Sequence, residues 1–185
     1  MAQSKILIDT NSYLRLAQSI KPLLFAPFGD EEYCIYVIPE LNDELSRRHL
    51  ANKFPWIDEP EYREDRDHYP TVSKKQRKSI QDTFDHLWNY VETELPGPSR
   101  VDALYIAYAI ELDVYVVTDD EDMIRLAKIF DAKVMHSLEL LKAMLDAGRV
   151  DMNKIRAIVS YWRHIKDTPS QLNKRYRKLF GSEPP

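Results

Sequence analysis

The chain is poor in the residues that build several common kinds of functional site. Only one of its 185 residues is a cysteine, Cys34, which excludes an intramolecular disulfide and a zinc site made of several cysteines. A single thiol is typical of a reducing compartment, so we expect a cytoplasmic protein. The sequence has only four glycines, none near another, which excludes the glycine-rich phosphate loops of P-loop and dinucleotide-binding proteins.

Long apolar segments and a strongly basic composition are also missing. No run of about 18 uninterrupted apolar residues occurs, so we expect no membrane span. The first apolar run, residues 6–8, is too short for the core of a signal peptide. The net charge is −4, so any nucleic-acid partner has to be met by a local basic patch.

Short aliphatic runs alternate with segments of helical periodicity along most of the chain. The runs expected to form buried strands are residues 5–8, 33–38, 114–117 and 133–135. Helices are expected over residues 11–18, 40–50, 73–95, 100–112, 121–130 and 137–147. This alternation predicts an α/β fold, with helices on both sides of a central parallel sheet of four or five strands.

Two parts of the chain differ in composition from the rest. Residues 52–70 carry six acids and three prolines, which predicts an acidic loop before the long helix. We therefore treat residues 51–98 as an insertion within a domain of residues 1–148. Residues 151–185 hold eight Lys or Arg against three Asp or Glu, together with two helical segments. Residues 149–185 are accordingly expected to form a basic, helical C-terminal extension.

Several acidic residues occupy positions that such a fold would bring to one edge of its sheet. Asp9 directly follows the first strand, and Asp120 comes just after the third, with Asp122 close behind. Glu44 lies in the second turn of the helix after the second strand, and Asp102 in the first turn of a nearly all-apolar helix. Since the carboxyl ends of parallel strands and the N-termini of the helices share one edge, these carboxylates are expected to converge.

Converging carboxylates predict a divalent metal site. Such groups repel one another, and burying each costs several kcal/mol unless something compensates. No Lys or Arg is obviously placed to pair with all of them; Arg100 is the nearest in sequence to Asp102. Mg²⁺ or Mn²⁺ would compensate, because both prefer oxygen ligands. Phosphodiester hydrolysis is the chemistry that a carboxylate site of this kind serves best.

Four short segments resemble the motifs of the PIN-domain nucleases and occur in that family's order. They are residues 6–11 (ILIDTN), 39–45 (PELNDEL), 101–104 (VDAL) and 117–122 (VTDDED). The resemblance implies a PIN-like fold and a metal-dependent endoribonuclease that uses Mg²⁺ or Mn²⁺ on an RNA substrate. It also implies a toxin similar to VapC, with an antitoxin protein as partner and a homodimer as the oligomeric state.

The resemblance also implies roles for individual residues. The catalytic and metal-ligating roles fall on Asp9, Glu44, Asp102 and Asp120. Asp122 matches an additional metal-binding acid, and Asn11 and Thr118 match supporting positions.

Basic residues at two places are candidates for contact with the RNA backbone. One place is the C-terminal extension, where aromatic residues among the cations would stack bases or dock a partner. The other is the start of the long helix, with Lys74, Lys75, Arg77 and Lys78. An ordinary solvated face is the alternative for both.

Each candidate acid also has a plainer interpretation. Asp9 could be a capping residue, and Asp102 a first-turn acid that favours the helix dipole. Glu44 could be a solvated helix acid, with Glu40 or Asp43 in its role. Asp119, next to Asp120, is expected to be solvated.

Two other functions stay open. A catalytically inactive PIN-like module that binds RNA or a protein partner is indicated by the insertion and the basic tail. A phosphatase with an aspartyl nucleophile is disfavoured, because Asn11 stands where a second Asp would act as acid and base.

Overall fold

The computed structural model of the chain describes residues 4–185, with only the backbone of Arg48. Its strands are β1 Lys5–Ile8, β2 Cys34–Tyr36, β3 Tyr115–Val117 and β4 Val134–Met135. Its α-helices are α1 Thr10–Leu16, α2 Leu41–Leu45, α3 Arg48–Lys53, α4 Pro60–Arg66, α5 Lys74–Thr93, α6 Arg100–Leu112, α7 Glu121–Ile129, α8 Ser137–Asp146, α9 Met152–His164 and α10 Leu172–Phe180. A 3-10 helix spans Pro55–Asp58. None of the helices in the described range is long and apolar enough to cross a bilayer.

The four strands form one parallel sheet in the order β2-β1-β3-β4. Ile6 of β1 lies beside Ile35 of β2 on one side and Tyr115 of β3 on the other, and Val117 of β3 lies beside Met135 of β4. The chain therefore leaves β1 first towards one edge of the sheet and then towards the other. Open α/β sheets bind their ligands at the carboxyl ends of the strands where this switch occurs, here between β1 and β3.

Helices cover both faces of the sheet. Ile6 and Ile8 of β1 pack with buried residues of α1, α8, α9 and α10, whereas Leu7 packs with α5, α6 and α7. Successive side chains of a strand point to opposite faces, so an unbroken apolar strand needs a cover on each side. The predicted α/β architecture with a parallel sheet is confirmed, with four strands in the described part of the chain.

The C-terminal helices share the core of one face. Ile155, Val159 and Trp162 of α9 and Tyr176 of α10 are completely buried. The Trp162 indole Nε1 also donates to the carbonyl oxygen of Arg15 in α1, at 3.2 Å. The predicted helical extension therefore packs against the helices that cover one face of the sheet. The domain boundary between residues 148 and 149 stays a prediction.

The segment expected to be an acidic loop is largely helical, and this expectation was wrong. Pro55 and Pro60 stand at the starts of the 3-10 helix and of α4, where the missing N–H of proline costs nothing. Trp56 and Tyr62 are buried, with ring centroids 4.6 Å apart. The amphipathic pattern of these two helices is short, and the acids on their exposed side make it difficult to recognise in the sequence. The helix expected over residues 40–50 is likewise divided into α2 and α3.

Arg66 of α4 ties this segment to α1 and α2. Its side chain is buried and donates to the Tyr13 hydroxyl, the Asn42 side-chain oxygen and the Ile57 carbonyl, at 3.2, 3.0 and 2.7 Å. Helices α1 and α2 carry or follow the acids of the candidate site, so the segment helps to hold that site's walls.

Candidate metal centre

Asp9 lies at the switch point of the sheet. Its backbone N–H continues the β1–β3 ladder to the Val117 carbonyl, at 3.0 Å. Its buried carboxylate accepts from the Ser12 N–H at 2.7 Å, as the N-cap of α1, and from the Thr118 hydroxyl at 2.6 Å. Burial raises the pKa of Asp9 to about 6, although both hydrogen bonds oppose that rise. Asp9 is thus a capping residue and also a buried carboxylate.

Thr118 connects Asp9 to Asp120. Its hydroxyl donates to Asp9 and accepts from the Asp120 N–H, at 3.1 Å. The Asp120 carboxylate caps α7 by accepting from the backbone N–H groups of Asp122 and Met123, both at 2.9 Å. Asp9 and Asp120 therefore follow two neighbouring strands and share one hydroxyl between them.

Asp102 lies in the first turn of α6, on a helix half of whose other residues are buried. It forms a reciprocal capping box with Ser99: its carboxylate accepts from the Ser99 N–H at 2.7 Å, and its N–H donates to the Ser99 hydroxyl at 3.1 Å. Burial raises the pKa of Asp102 to about 6, and repulsion from Asp120 and Glu44 adds to the rise. Asp102 is therefore a helix-capping acid, and it also lies near enough to Asp120 and Glu44 to be affected by their charges.

Glu44 reaches the site from α2. The hydroxyl of Thr10, the residue after Asp9, donates to its Oε2. Arg47 lies 3.8 Å from its other oxygen, and the Glu44 side chain is 14% exposed. Glu44 is consequently directed towards α1 and is not a freely solvated acid.

These acids share an edge of the sheet without matching cations. Among the described side chains, no Lys, Arg or His forms an ion pair with Asp9, Asp102 or Asp120. Burial raises the pKa of Asp9 and of Asp102, and no neighbouring cation is paired with either carboxylate to oppose the rise.

The donor atoms fit a hard divalent cation in kind, but they are not assembled into a ligand shell. Within residues 4–185, no group of three or more His, Cys, Asp or Glu side chains is placed to hold a metal ion. Capping explains this, since Asp9, Asp102 and Asp120 each direct a carboxylate oxygen to backbone N–H groups. A carboxylate can accept at about four lone-pair positions, so each acid keeps acceptor capacity for a cation such as Mg²⁺ or Mn²⁺.

Asp122 differs from the other candidates because it is paired and 39% exposed. Its carboxylate forms an ion pair with Arg125 one turn further along α7. The backbone of Gly97 approaches it from the loop before α6: a Cβ at that position would lie 2.7 Å from the Asp122 Cγ. The Gly97 φ of +139° is also a conformation that only glycine adopts readily.

Gly97→Ala is therefore expected to lower the free energy of unfolding by about 1–3 kcal/mol, through backbone strain and displacement of Asp122. Urea unfolding followed by circular dichroism measures this. Gly148→Ala is the matched control, since Gly148 also has a positive φ but a Cβ there would meet nothing within 4 Å. Equal losses in the two variants would contradict a role for the contact with Asp122.

The remaining sequence candidates lie around this cluster and not in it. Asn11 is exposed in the first turn of α1, and its side chain forms no hydrogen bond with the described residues. The four cations at the start of α5 are exposed and form no ion pair in the described part of the chain: Lys74, Lys75, Arg77 and Lys78. Further along α5, Gln81 lines a cleft of about 400 Å³ that also contains Glu44 and Arg100. Helix α5 thus forms one wall beside the candidate site.

Asp119 is not solvated, contrary to expectation. Its side chain is 4% exposed and lies 3.2 Å from the Arg15 guanidinium and 3.3 Å from His136 Nδ1. Burial acts to raise the pKa of Asp119, but hydrogen bonds from His136 and Ser137 and the charge of Arg15 hold it below its usual value. Arg15 also binds Asp167 at 2.8 Å. Sequence reasoning missed Arg15, His136 and Asp167 because they are distant from Asp119 along the chain.

Comparisons with known proteins add little to this geometry. No protein-family model matches the chain, and no curated protein matches it. Among solved structures, the chain is similar to the crystal structure of FitAcB from Neisseria gonorrhoeae, with a TM-score of 0.46 and 16% sequence identity. The likeness covers 72% of this chain and 98% of that chain.

Proposed function

We propose that the chain is a PIN-type endoribonuclease that hydrolyses RNA phosphodiester bonds with the help of Mg²⁺ or Mn²⁺. One observation carries the proposal: four acidic residues lie near the switch point of a parallel sheet, connected by the Thr118 hydroxyl or by mutual repulsion, and three of them have no ion-pair partner among the described side chains. They are Asp9, Glu44, Asp102 and Asp120. The same four residues occupy the motif positions that resemble the PIN family.

In this proposal the four carboxylates would hold the cation, and Asp122 would provide a further oxygen. When bound, the cation would orient a phosphate oxygen and lower the pKa of a water molecule. Thr118 and Thr10 orient the carboxylates of Asp9 and Glu44 by donating to them. Asn11, exposed in the first turn of α1, would take the supporting role that the PIN resemblance implies.

Asp120→Asn is expected to lower Mn²⁺-dependent cleavage of a fluorescent single-stranded RNA by about 100-fold or more. Losing an outer-shell partner of a metal already costs about 10–100-fold, and loss of a charged ligand should cost at least as much. EDTA should stop the wild-type reaction, and the fragments should carry 5′-phosphate and 3′-hydroxyl ends.

The matched control is Asp82→Asn, an identical change at an exposed position of α5 without an ion-pair partner in the described chain. It should cleave as the wild type does. If Asp120→Asn also cleaves at the wild-type rate, the site assignment is wrong.

A second candidate is a PIN-like module that binds RNA or a protein partner without catalysis. It is favoured by the capping hydrogen bonds that already engage Asp9, Asp102 and Asp120. Under this alternative, calorimetry at millimolar Mn²⁺ shows no binding and RNA is bound but not cut. A saturable Mn²⁺ titration that Asp120→Asn weakens would exclude it.

The wider assignments are also proposals: a toxin with an antitoxin partner, a homodimer, and a cytoplasmic location. A small adjacent reading frame that encodes a DNA-binding protein would support the toxin assignment. Light scattering of the purified chain tests the homodimer. Lys74, Lys75, Arg77 and Lys78 are proposed contacts to the RNA backbone, at the exposed start of the α5 wall.

A further inference from the structure

The C-terminal extension concentrates positive charge on a chain whose net charge is −4. Residues 151–185 hold eight Lys or Arg and only three Asp or Glu. Arg177 is paired with Glu183 at 2.7 Å. Lys174, Arg175 and Lys178 form no ion pair within the described chain. Three cations of α10 therefore remain without a protein counter-charge.

Helix α10 holds these cations at a fixed place. Its opposite side is anchored in the core by Leu172 and Tyr176, which are 7% and 0% exposed. Lys174 and Lys178 are four residues apart on the helix, so their like charges face each other across one turn and repel. A bound polyanion would offset this repulsion by its attraction to both cations.

The three cations line a concave surface. A cleft of about 280 Å³ is bounded by Lys174, Arg175 and Lys178 of α10 together with His136. A wider groove of about 830 Å³ shares Gln171 and Lys174 with it. We call the two together the α10 track.

The acid that lines the α10 track is already engaged. Glu139 of α8 directs its carboxylate to the backbone N–H of His136, at 2.8 Å, as part of a capping box. Glu139 keeps its negative charge but forms no ion pair with the three cations of α10 in the described chain. The track remains cationic along its α10 side.

The track begins at the same edge of the sheet as the candidate metal centre. His136 directly follows β4, and the Thr118 N–H bonds to the Met135 carbonyl at 3.0 Å, which sets the two strand ends side by side. His136 Nδ1 lies 3.3 Å from Asp119, whose charge in turn acts on Asp9. The His136 end of the track therefore lies at the sheet edge where Asp9 and Asp120 follow their strands.

We infer that the α10 track binds the phosphate backbone of the RNA on one side of the bond to be cut. The inference rests on the proposed function for its choice of RNA. Three unpaired cations in a groove match the regularly spaced charges of a phosphodiester chain, which dominate nucleic-acid affinity. The contacts are to phosphates, so they position the RNA and do not select its sequence.

The test is RNA binding in EDTA, which separates binding from cleavage. The probe is a fluorescein-labelled, unstructured 20-nucleotide RNA, followed by anisotropy at several NaCl concentrations. The triple variant Lys174→Ala, Arg175→Ala, Lys178→Ala should raise the Kd about tenfold or more at 0.1 M NaCl. Its slope of log Kd against log salt should fall by about 2, since each phosphate contact to a single strand contributes about 0.7.

Two further variants keep this test decisive. Lys21→Ala, Lys128→Ala, Lys133→Ala removes the same charge at exposed positions outside the α10 track and should leave the Kd within about twofold of wild type. Lys174→Arg, Lys178→Arg keeps the charge and should retain binding. If both triple alanine variants lose the same RNA affinity, the effect depends only on net charge, and the inference is overturned.

Other outcomes separate this inference from the proposed function. Poly-glutamate that binds as tightly as RNA, and depends equally on the three cations, would assign the track to acidic proteins and overturn the RNA assignment. RNA bound through the track but not cut with Mn²⁺ would contradict the nuclease proposal alone. Cleavage by the α10 triple variant with an unchanged KM would contradict the track alone.

Discussion

Asp102→Asn is expected to abolish RNA cleavage and, at neutral pH, to make the folded chain more stable. Burial raises the pKa of Asp102 from 3.8 to about 6, so its ionised form is disfavoured in the folded state. Asn keeps an acceptor for the Ser99 N–H without the charge. Because a tenfold change in proton affinity corresponds to about 1.4 kcal/mol, the gain in the free energy of unfolding is about 1–3 kcal/mol. Loss of function combined with a gain in stability is typical of a functional site.

This gain has a defined pH dependence. The folded state holds the Asp102 proton more tightly than the unfolded state, whose pKa is near 3.8. Between about pH 4 and pH 6 the folded state binds more protons, so this carboxyl makes wild-type stability fall as the pH rises. The variant's advantage should therefore be absent below about pH 4 and complete above about pH 6. Asp9, whose pKa is also raised to about 6, adds the same trend to both proteins.

Urea unfolding in EDTA at several pH values measures the effect. Added Mg²⁺ should narrow the gap at neutral pH, because a ligand that binds only the folded wild type stabilises it. Asp82→Asn should show neither the gain nor the pH dependence. A variant at Asp102 that cleaves normally, or that is less stable than wild type at pH 7.5, would show that this carboxylate is purely structural.

Arg15→Ala is expected to lower the free energy of unfolding by about 3–5 kcal/mol, the usual cost of breaking a buried ion pair. Arg15 is 13% exposed and bridges Asp119, at 3.2 Å, to Asp167, at 2.8 Å. Without it, the nearly buried Asp119 carboxylate loses its arginine. The bridge also joins α1 and the sheet edge to the segment between α9 and α10. Thermal and urea unfolding measure the loss.

A double variant isolates the cause. Arg15→Ala, Asp119→Asn should recover much of the stability, because the buried charge is removed with its partner. Asp167→Ala should cost less than Arg15→Ala, since Asp167 is 31% exposed and solvent can replace part of its interaction. If the double variant is as unstable as the sum of the single changes, Arg15 acts by packing and not by compensating Asp119.

Local patterns predicted much of the fold. Helix α6 has the predicted bounds, residues 100–112, since its apolar run directly follows the capping residue Ser99. The positions of Asp9 and Asp120 relative to their strands were equally local. The short helices between residues 48 and 66 were missed because their periodicity is too brief to stand out against the acids and prolines.

The sequence by itself determined which carboxylates stand at strand ends and helix starts, because strands and caps depend on residues a few positions apart. Only the tertiary structure decided which of those carboxylates receive a cation. Asp119 forms an ion pair with Arg15, which is 104 residues away, and Arg15 also pairs with Asp167, which is 152 residues away from it. The neighbouring Asp120 has no such partner in the described chain. Pairing over such separations follows from the order of the strands and the packing of α9 against α1, which no local pattern specifies.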